Sequence, residues 1–208
     1  MMPPADLPVL PPLLDLGGTA VFALTGALQA ARLRQTFVTM SFFALLTGVG
    51  GGTLRDLLIG APVFWLRDPW VVPVVLGVAL VAWYTPRRIW EGQLLEWADG
   101  AGLAAFAVLG TAKALAVGVA PVPAMVVGIL AGCVGGIIRD MIAAVPSILM
   151  RPELYVTAAA LAAVLYAGGT LAGLPAAPTG VFAALAGFAL RGAALIWQLE
   201  LPGYSREK

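Results

Sequence analysis

The strongest constraint in this sequence is a pattern that occurs twice, at a constant offset of 84 residues. The stretch TGVGGGTLRDLLIG at 47–60 aligns with AGCVGGIIRDMIAA at 131–144. Each stretch places a glycine cluster and an Arg-Asp pair inside an otherwise apolar segment. A lipid bilayer tolerates charge and irregular backbone only where they face protein or water. A duplicated segment of this kind is therefore typical of a permeation or transport site in a membrane protein.

The composition indicates an integral membrane protein built of helices. Of the 208 residues, 61% are hydrophobic and 11% are charged, whereas a soluble domain carries about 25% charged residues. The net charge of +1 argues against nucleic acid as a partner. The chain has no His, and Cys133 is its one cysteine, which excludes His-based catalysis and an intrachain disulfide. We expect no metal and no cofactor, and an enzyme function has little support, because no nucleophile lies at a suitable spacing from a base.

Seven apolar segments are separated by breaks that contain proline or charge. They lie at about 13–31, 37–61, 70–84, 97–119, 122–145, 154–174 and 181–199. The 84-residue offset also pairs Asp15 with Asp99, so the first six segments form two three-helix repeats. Because three is odd, the second repeat must enter the membrane from the opposite side. We predict a single all-α transmembrane domain over 1–208, with an inverted repeat at about 10–90 and 94–174 and an extra seventh helix at about 180–199.

The basic residues predict the orientation, because cytoplasmic loops are enriched in Lys and Arg. The loops on the other side of the membrane hold only Arg67. The loops after segments one, three and five, together with the C-terminal tail, hold Arg32, Arg34, Arg87, Arg88, Arg151, Arg206 and Lys208. We therefore predict a multi-pass protein of the cell inner membrane, with its N-terminus outside and its C-terminus in the cytoplasm.

The glycine clusters allow two interpretations. Glycines four residues apart, such as Gly48 and Gly52, share a helical face and allow two helices to pack closely. The run of three glycines at 50–52 goes further, because each glycine costs about 1 kcal/mol relative to Ala in a helix. A kink or an unwound turn is therefore expected there. The carbonyl groups freed by such a turn would need water, an ion or a side chain as partners.

The two Arg-Asp pairs are the next candidates. Adjacent residues on a helix point about 100° apart, so we expect Arg55 not to pair with Asp56 and to meet polar groups of the opposite repeat instead. In an inverted repeat Arg55 lies toward the outer leaflet and Arg139, with Asp140, toward the inner leaflet. The two arginines would then flank a site near the midplane. The alternative is that each pair makes a structural salt bridge near an interface.

Four further charged residues stand in or beside the apolar segments. Lys113 lies about four turns into segment four, and we expect it to face a wet cavity and to act as a gate. Asp15 and Asp99 begin segments one and four, where the helix dipole favours a carboxylate. Arg191 lies about two turns from the cytoplasmic end of the seventh segment, and we expect its side chain to snorkel to that interface.

The residues GGGTLRDLLIGAPVFWLRDP, followed by a second GGIIRD and a seventh helix, resemble the prokaryotic branch of the trimeric intracellular cation channels. The same bacterial domain is also described as a glycine transporter. The resemblance implies a homotrimer in which each protomer has its own pore, lined by kinked second and fifth helices. It implies potassium and also sodium as permeant ions, and it places Lys113 at the basic position of the fourth helix that restricts the pore. The expected pathway residues are Gly50, Gly51, Gly52, Thr53, Arg55, Asp56, Gly135, Gly136, Arg139 and Asp140.

The sequence leaves two functions open. In a passive channel, backbone carbonyls and hydroxyls such as those of Ser41, Thr47 and Thr53 would bind ions weakly enough to release them. In a secondary transporter for glycine or a similar small zwitterion, an arrangement like Arg55 with Asp140 would hold the carboxylate and the ammonium. The partners expected are potassium and sodium ions, membrane lipid and further copies of the chain in a homotrimer.

Overall fold

The computed structural model describes residues 12–86, 88 and 92–203, and seven α-helices account for most of them. Two 3₁₀ turns, Phe64–Leu66 and Ile148–Met150, precede the third and sixth helices. Arg87, Arg206 and Lys208, which entered the orientation prediction, lie outside the described residues. The helices are α1 Pro12–Arg32, α2 Phe37–Leu58, α3 Val71–Tyr84, α4 Leu94–Ala116, α5 Pro121–Ile142, α6 Val156–Leu171 and α7 Ala176–Trp197.

Local sequence explains where several helices begin and end. The Thr36 hydroxyl accepts a hydrogen bond from the backbone N–H of Thr39 and so caps the start of α2. Pro121 occupies the first position of α5, where its missing N–H removes no helical hydrogen bond. Gly118 follows α4 with φ of +86°, a conformation that favours glycine and ends a helix. The predicted breaks therefore coincide with the observed turns.

Five of these helices are long and apolar enough to cross a membrane, and α3 and α6 are shorter. The 14 residues of α3 and the 16 of α6 rise about 21 and 24 Å, against about 30 Å for a hydrocarbon core. Each short helix follows a connection that contains one of the 3₁₀ turns. Those connections must supply the remaining depth, so they are part of the membrane domain and need buried hydrogen-bond partners.

The two repeats pack against each other through α2 and α5. Gly51 of α2 lies against the backbone carbonyl of Ala131 on α5, and Gly135 of α5 lies against the carbonyl of Thr47 on α2. Thr47 and Ala131 occupy equivalent positions in the two repeats, so one contact is made twice about a pseudo-two-fold axis. This arrangement confirms the inverted repeat of three helices plus three.

The apolar core follows the same division. One cluster of buried side chains lies among α1, α2 and α3, and a second lies among α4, α5, α6 and α7. Phe22 and Phe106 are equivalent residues of the two repeats, and their ring centroids are 5.3 Å apart. The seventh helix packs on α4 and α6, so it belongs structurally to the second repeat.

Of the two alternatives predicted at the glycine run, the unwound turn is wrong, and the kink stays a prediction. Helix α2 continues without interruption through Gly50, Gly51 and Gly52, and α5 continues through Gly135 and Gly136. A Cβ atom on Gly51 would overlap the carbonyl oxygen of Ala131. Close helix packing, the other interpretation of the clusters, therefore explains these glycines, because the contacts it allows offset the low helix propensity.

Candidate ion pathway and its charge clusters

A chain of four charged side chains, the first cluster, lies at the C-terminal ends of α2 and α4. Arg55 donates from Nη1 to Asp15 Oδ1 at 2.6 Å and from Nε to Asp56 Oδ1 at 2.8 Å. Lys113 Nζ donates to the same Asp56 oxygen at 2.7 Å. The second Asp56 oxygen accepts the backbone N–H of Phe64 at 2.8 Å, at the start of the 3₁₀ turn. The charges sum to zero, and each carboxylate has a cationic partner.

A matching group of three residues, the second cluster, lies at the C-terminal end of α5. Arg139 donates from Nη1 to Asp99, and from Nε and Nη2 to Asp140 Oδ1 at 2.9 and 2.8 Å. Asp140 Oδ2 accepts the backbone N–H of Ile148 at 2.8 Å, at the start of the second 3₁₀ turn. The two clusters are therefore built on one plan, in which the aspartate of each Arg-Asp pair ties the following connection to its own helix.

The expectation that Arg55 does not pair with Asp56 is wrong, and Arg139 pairs with Asp140 in the same way. The side chains leave the helix in different directions, but the long arginine side chain folds back and reaches the neighbouring carboxylate. The further partner of Arg55 is also not in the opposite repeat, because Asp15 belongs to the same one. Lys113 with Asp56 is an ion pair that crosses between the repeats, and Arg32 with Glu96, a more exposed pair outside the cluster, is another. The structural-salt-bridge alternative thus describes the arginines correctly.

The roles of the two helix-initial aspartates follow from these contacts. Asp15 lies in the first turn of α1, but Asp99 lies more than a turn inside α4, which begins at Leu94. Both serve as salt-bridge partners of an arginine 40 residues later in the chain. Sequence reasoning missed these pairs, although a signal was available: the offset that relates the two arginines also relates the two aspartates.

The clusters lie at opposite ends of α4. Asp99 near the start of α4 binds Arg139, and Lys113 in its last turn binds Asp56. The two α4 positions are fourteen residues apart, which corresponds to about 21 Å of helix. Arg55 and Asp140 are thus far apart, and each is neutralised by its own partners, so the structure does not assemble the pair predicted to hold a zwitterion.

Between the clusters, the predicted pathway glycines make tight contacts. A Cβ on Gly50 would lie 2.5 Å from Ile138 Cδ1, and one on Gly52 would lie 2.5 Å from the ring of Phe64. A Cβ on Gly136 would lie 2.7 Å from the Tyr155 hydroxyl. The structure therefore shows a closely packed arrangement at all these positions.

The hydroxyl groups along α2 differ in their partners. Thr53 Oγ1 donates to the Val49 carbonyl at 2.7 Å and accepts the indole N–H of Trp65 at 3.0 Å. The buried hydroxyl oxygens of Ser41 and Thr47 have no hydrogen-bond partner among the described residues. Thr53 is therefore fixed in a local contact, whereas Ser41 and Thr47 retain free hydrogen-bonding capacity inside the membrane domain.

Exposure distinguishes the clusters more clearly than geometry does. In the first cluster the side chains of Lys113 and Asp15 are 30% and 22% exposed. In the second, every side chain is at most 6% exposed. A surface pocket of about 280 Å³ reaches Asp15, and it is lined by Asp15, Phe64, Arg67, Asp68 and Pro69. The first cluster therefore reaches the surface of the protein, and the second is buried in its interior.

Arg191 does not snorkel as predicted. It is 1% exposed, its guanidinium lies 2.7 Å from a carboxylate oxygen of Glu153, and it stacks over the ring of Tyr155 with its Cζ 5.4 Å from the centroid. Glu153 and Tyr155 were missed by sequence reasoning, since neither belongs to the repeated pattern. A charge in an apolar helix that packs against protein needs a counter-ion, and the loop before α6 supplies it.

Comparison with known proteins shows where the chain belongs. The family model described as "Glycine transporter" matches residues 12–87 and 96–170, which are the two repeats. The chain belongs to this family. Among its curated relatives, a UPF0126 membrane protein of Vibrio cholerae is 35% identical over 203 residues, covering 94% of this chain and 83% of that protein. The UPF0126 inner membrane protein YadS of Escherichia coli K12 is 34% identical over 200 residues, covering 94% of this chain and 96% of YadS.

A solved structure of the family carries a functional description. The trimeric intracellular cation channel orthologue from Rhodobacter sphaeroides matches with a TM-score of 0.83 and 38% identity, over 90% of this chain and 97% of that chain. The resemblance to prokaryotic trimeric intracellular cation channels is thereby confirmed, together with the seven-helix membrane fold.

Proposed function

We propose that this protein is a monovalent cation channel, passing potassium and also sodium, with a pathway inside each protomer of a homotrimer. The pathway follows the seam between α2 and α5 and connects the two charge clusters. The observation that carries the proposal is the Lys113–Asp56 ion pair, which joins the repeats at the solvent-reachable end of that seam. The family's structural match to a cation channel supports the same function.

The geometry supports a closed state with Lys113 as the gate. Its ammonium group lies within hydrogen-bond distance of Asp56, while its side chain remains 30% exposed. A cation approaching along the seam meets this positive charge first. Arg55 keeps Asp56 neutralised when Lys113 moves away, so departure of the lysine leaves no uncompensated buried carboxylate.

In the open state, we propose that the seam widens at its small residues. Glycines can separate without rearranging side chains, and the backbone carbonyl of Thr47 faces Gly135 on the seam, where it can bind a passing ion weakly. The lining residues we propose are Gly50, Gly51, Gly52, Thr53, Gly135 and Gly136, with Arg55, Asp56, Arg139 and Asp140 at the two ends.

The assembly and membrane placement are part of the same proposal. A homotrimer is favoured because the solved relative is described as trimeric. The inner membrane is favoured because the Escherichia coli relative is an inner membrane protein. We propose an outer N-terminus and a cytoplasmic C-terminus, which places the first cluster on the outer side and the second on the cytoplasmic side.

Single-channel recording tests the function. The purified full-length protein is reconstituted in planar bilayers between unequal potassium chloride solutions. We expect unitary currents that reverse near the potassium equilibrium potential and that persist when sodium replaces potassium. Saturable glycine uptake into proteoliposomes without unitary currents would overturn the channel and favour the transporter.

A matched variant shows whether the current depends on the named residues. Lys113→Ala removes the proposed gate and is expected to increase the open probability, whereas Lys113→Arg retains a cation at that position and is expected to stay close to wild type. Equal open probabilities for all three proteins would show that Lys113 is not the gate.

A further inference from the structure

The first cluster is a linear chain of alternating charges rather than a set of independent ion pairs. Its order is Asp15, Arg55, Asp56 and Lys113. Asp56 Oδ1 is the shared point, because it accepts hydrogen bonds from both Arg55 Nε and Lys113 Nζ. The two cations therefore compete for one oxygen atom. Any interaction that weakens the Arg55–Asp56 hydrogen bond strengthens the ion pair between Asp56 and Lys113.

Asp15 is the second carboxylate that binds Arg55, and it weakens the Arg55–Asp56 hydrogen bond by competing for the same guanidinium group. Its two carboxylate oxygens face the two terminal nitrogens of Arg55, at 2.6 Å for Nη1 and 3.4 Å for Nη2. Arg55 is fully buried and is held on its other side by the ring of Phe64, 5.5 Å from Cζ to the centroid. The arginine therefore cannot leave, and only the division of its hydrogen bonds between the two aspartates can change.

We propose that Asp15 is a positioning residue for the gate, acting on Lys113 through Arg55 and Asp56. This inference rests on the proposed channel function. The negative charge of Asp15 completes a set of four charges that cancel, and Asp56 can then bind Lys113. When a substitution removes the charge of Asp15, Arg55 and Lys113 share a single carboxylate and repel each other. Lys113 is the more exposed of the two cations, so it is the one that leaves, and the gate opens.

The position of Asp15 connects this chain of charges to the solution. Its carboxylate lines the pocket of about 280 Å³ that also contains Arg67 and Asp68. The charge at Asp15 thus acts on a lysine of the other repeat through two intervening side chains, those of Arg55 and Asp56. The second cluster has no such route, because its aspartates are buried and its position equivalent to Lys113 is Gln29.

The test compares Asp15→Asn with Asp68→Asn in planar bilayers. Both substitutions remove one negative charge from the same pocket, but the Asp68 carboxylate accepts a hydrogen bond from the Trp70 backbone N–H and, among the described residues, makes no ion pair with Arg55. We expect Asp15→Asn to raise the open probability about tenfold and to shift its voltage dependence, with unitary conductance unchanged. Asp68→Asn is expected to change the open probability by less than about twofold.

A double-mutant cycle separates positioning from general damage. In a Lys113→Gln background, Asp15→Asn is expected to leave the open probability unchanged, because the group on which it acts is gone. The inference is overturned if Asp15→Asn behaves like Asp68→Asn, or if its effect is the same with and without Lys113. A wild-type protein that passes no current would instead refute the proposed function itself.

If Asp15→Asn does not yield folded protein, the charge-conserving variant Asp15→Glu tests the same inference. It retains the charge facing Arg55, so we expect an open probability within about twofold of wild type. A tenfold change in this charge-conserving variant would show that the charge at Asp15 does not set the gate. Elution as a folded oligomer in size-exclusion chromatography is required of every variant before recording.

Discussion

The two charge clusters arise from one duplicated pattern, yet they differ in composition and surroundings. Each contains an Arg-Asp pair, an aspartate 40 residues earlier and a hydrogen bond to a 3₁₀ turn. The first adds Lys113 and reaches the protein surface, whereas the second has no added cation within the part of the chain that the structure describes and is at most 6% exposed. The contacts that both clusters share tie the connection that follows α2 or α5 to that helix. Lys113, which occurs in the first cluster alone, is the side chain that we expect to move.

This difference separates structural from functional charge. In the second cluster the carboxylates depend on Arg139 as the cation that contacts both of them. In the first cluster the charge is spread over two cations, one buried and one partly exposed. A redundant cation can be withdrawn without leaving a buried carboxylate bare, which is a requirement for a charged gate inside a membrane.

The largest expected difference between the two clusters is in the stability lost by Arg139→Ala and by Arg55→Ala. Removing Arg139 leaves Asp99 and Asp140 buried and unpaired, and we expect a loss of about 3–5 kcal/mol of stability. Removing Arg55 leaves Asp56 with Lys113 and leaves Asp15 partly hydrated, so the loss is expected to be about half as large. The measurement is thermal unfolding of the detergent-solubilised protein, together with the yield of folded oligomer.

The outcome for the arginines also tests a sequence-based expectation. From the repeat alone, the two substitutions should damage the protein equally. Equal losses would therefore mean that Lys113 contributes nothing to the neutralisation of Asp56. A greater loss of stability for Arg55→Ala than for Arg139→Ala would mean that the first cluster, and not the second, is the structural one.

The helix contacts between the clusters give the second test. A Cβ on Gly51 would overlap the Ala131 carbonyl, but a Cβ on Gly135 would lie 3.0 Å from the Thr47 carbonyl. We expect Gly51→Ala to cost about 2 kcal/mol and to reduce flux, and Gly135→Ala to cost at most about 1 kcal/mol. Thermal unfolding and bilayer recording measure both effects. Equal losses of stability and of flux in the two variants would show that the α2–α5 contact is equally tight at Gly51 and at Gly135.

Lys113→Ala is expected to change the stability less than the arginine and Gly51 substitutions do, and to change the open probability more. A partly exposed ion pair contributes about 1 kcal/mol or less, and Arg55 still neutralises Asp56 in the variant. The expected result is a thermal transition close to that of wild type with a raised open probability. A large loss of stability would instead indicate that Lys113 is part of the structural framework, as Arg139 is in the second cluster.

Much of the fold could be predicted because its determinants are periodic. The 84-residue offset fixes the number of helices in each repeat, and an odd number fixes their inversion. It also placed Arg55 and Arg139 toward opposite ends of the domain, where the structure has them on either end of α4. These inferences need only the order of apolar segments along the chain, which burial in lipid makes unambiguous.

The contacts within each cluster could not be predicted in the same way. The direction of Cβ atoms separates Arg55 from Asp56, but the arginine side chain is long enough to reverse that separation. Glycine propensity predicted an unwound turn in α2, yet tertiary packing against α5 keeps the helix intact. Arg191 pairs with Glu153, whose equivalent in the first repeat is Pro69, so no regularity in the sequence pointed to this pair.

The smallest expected effect concerns a contact that is present in the first repeat alone. The indole N–H of Trp65 donates to Thr53 Oγ1 at 3.0 Å, whereas the equivalent residues of the second repeat, Leu149 and Ile137, are apolar. Trp65→Phe keeps an aromatic ring and removes this bond, and we expect a loss of about 1 kcal/mol in thermal unfolding. Thr53→Val, which retains the shape of the threonine, is the matched change on the other partner. If the bond is the source of the loss, Trp65→Phe costs nothing further in the Thr53→Val background; a full additional loss would mean that ring packing, and not the hydrogen bond, distinguishes the first repeat at this point.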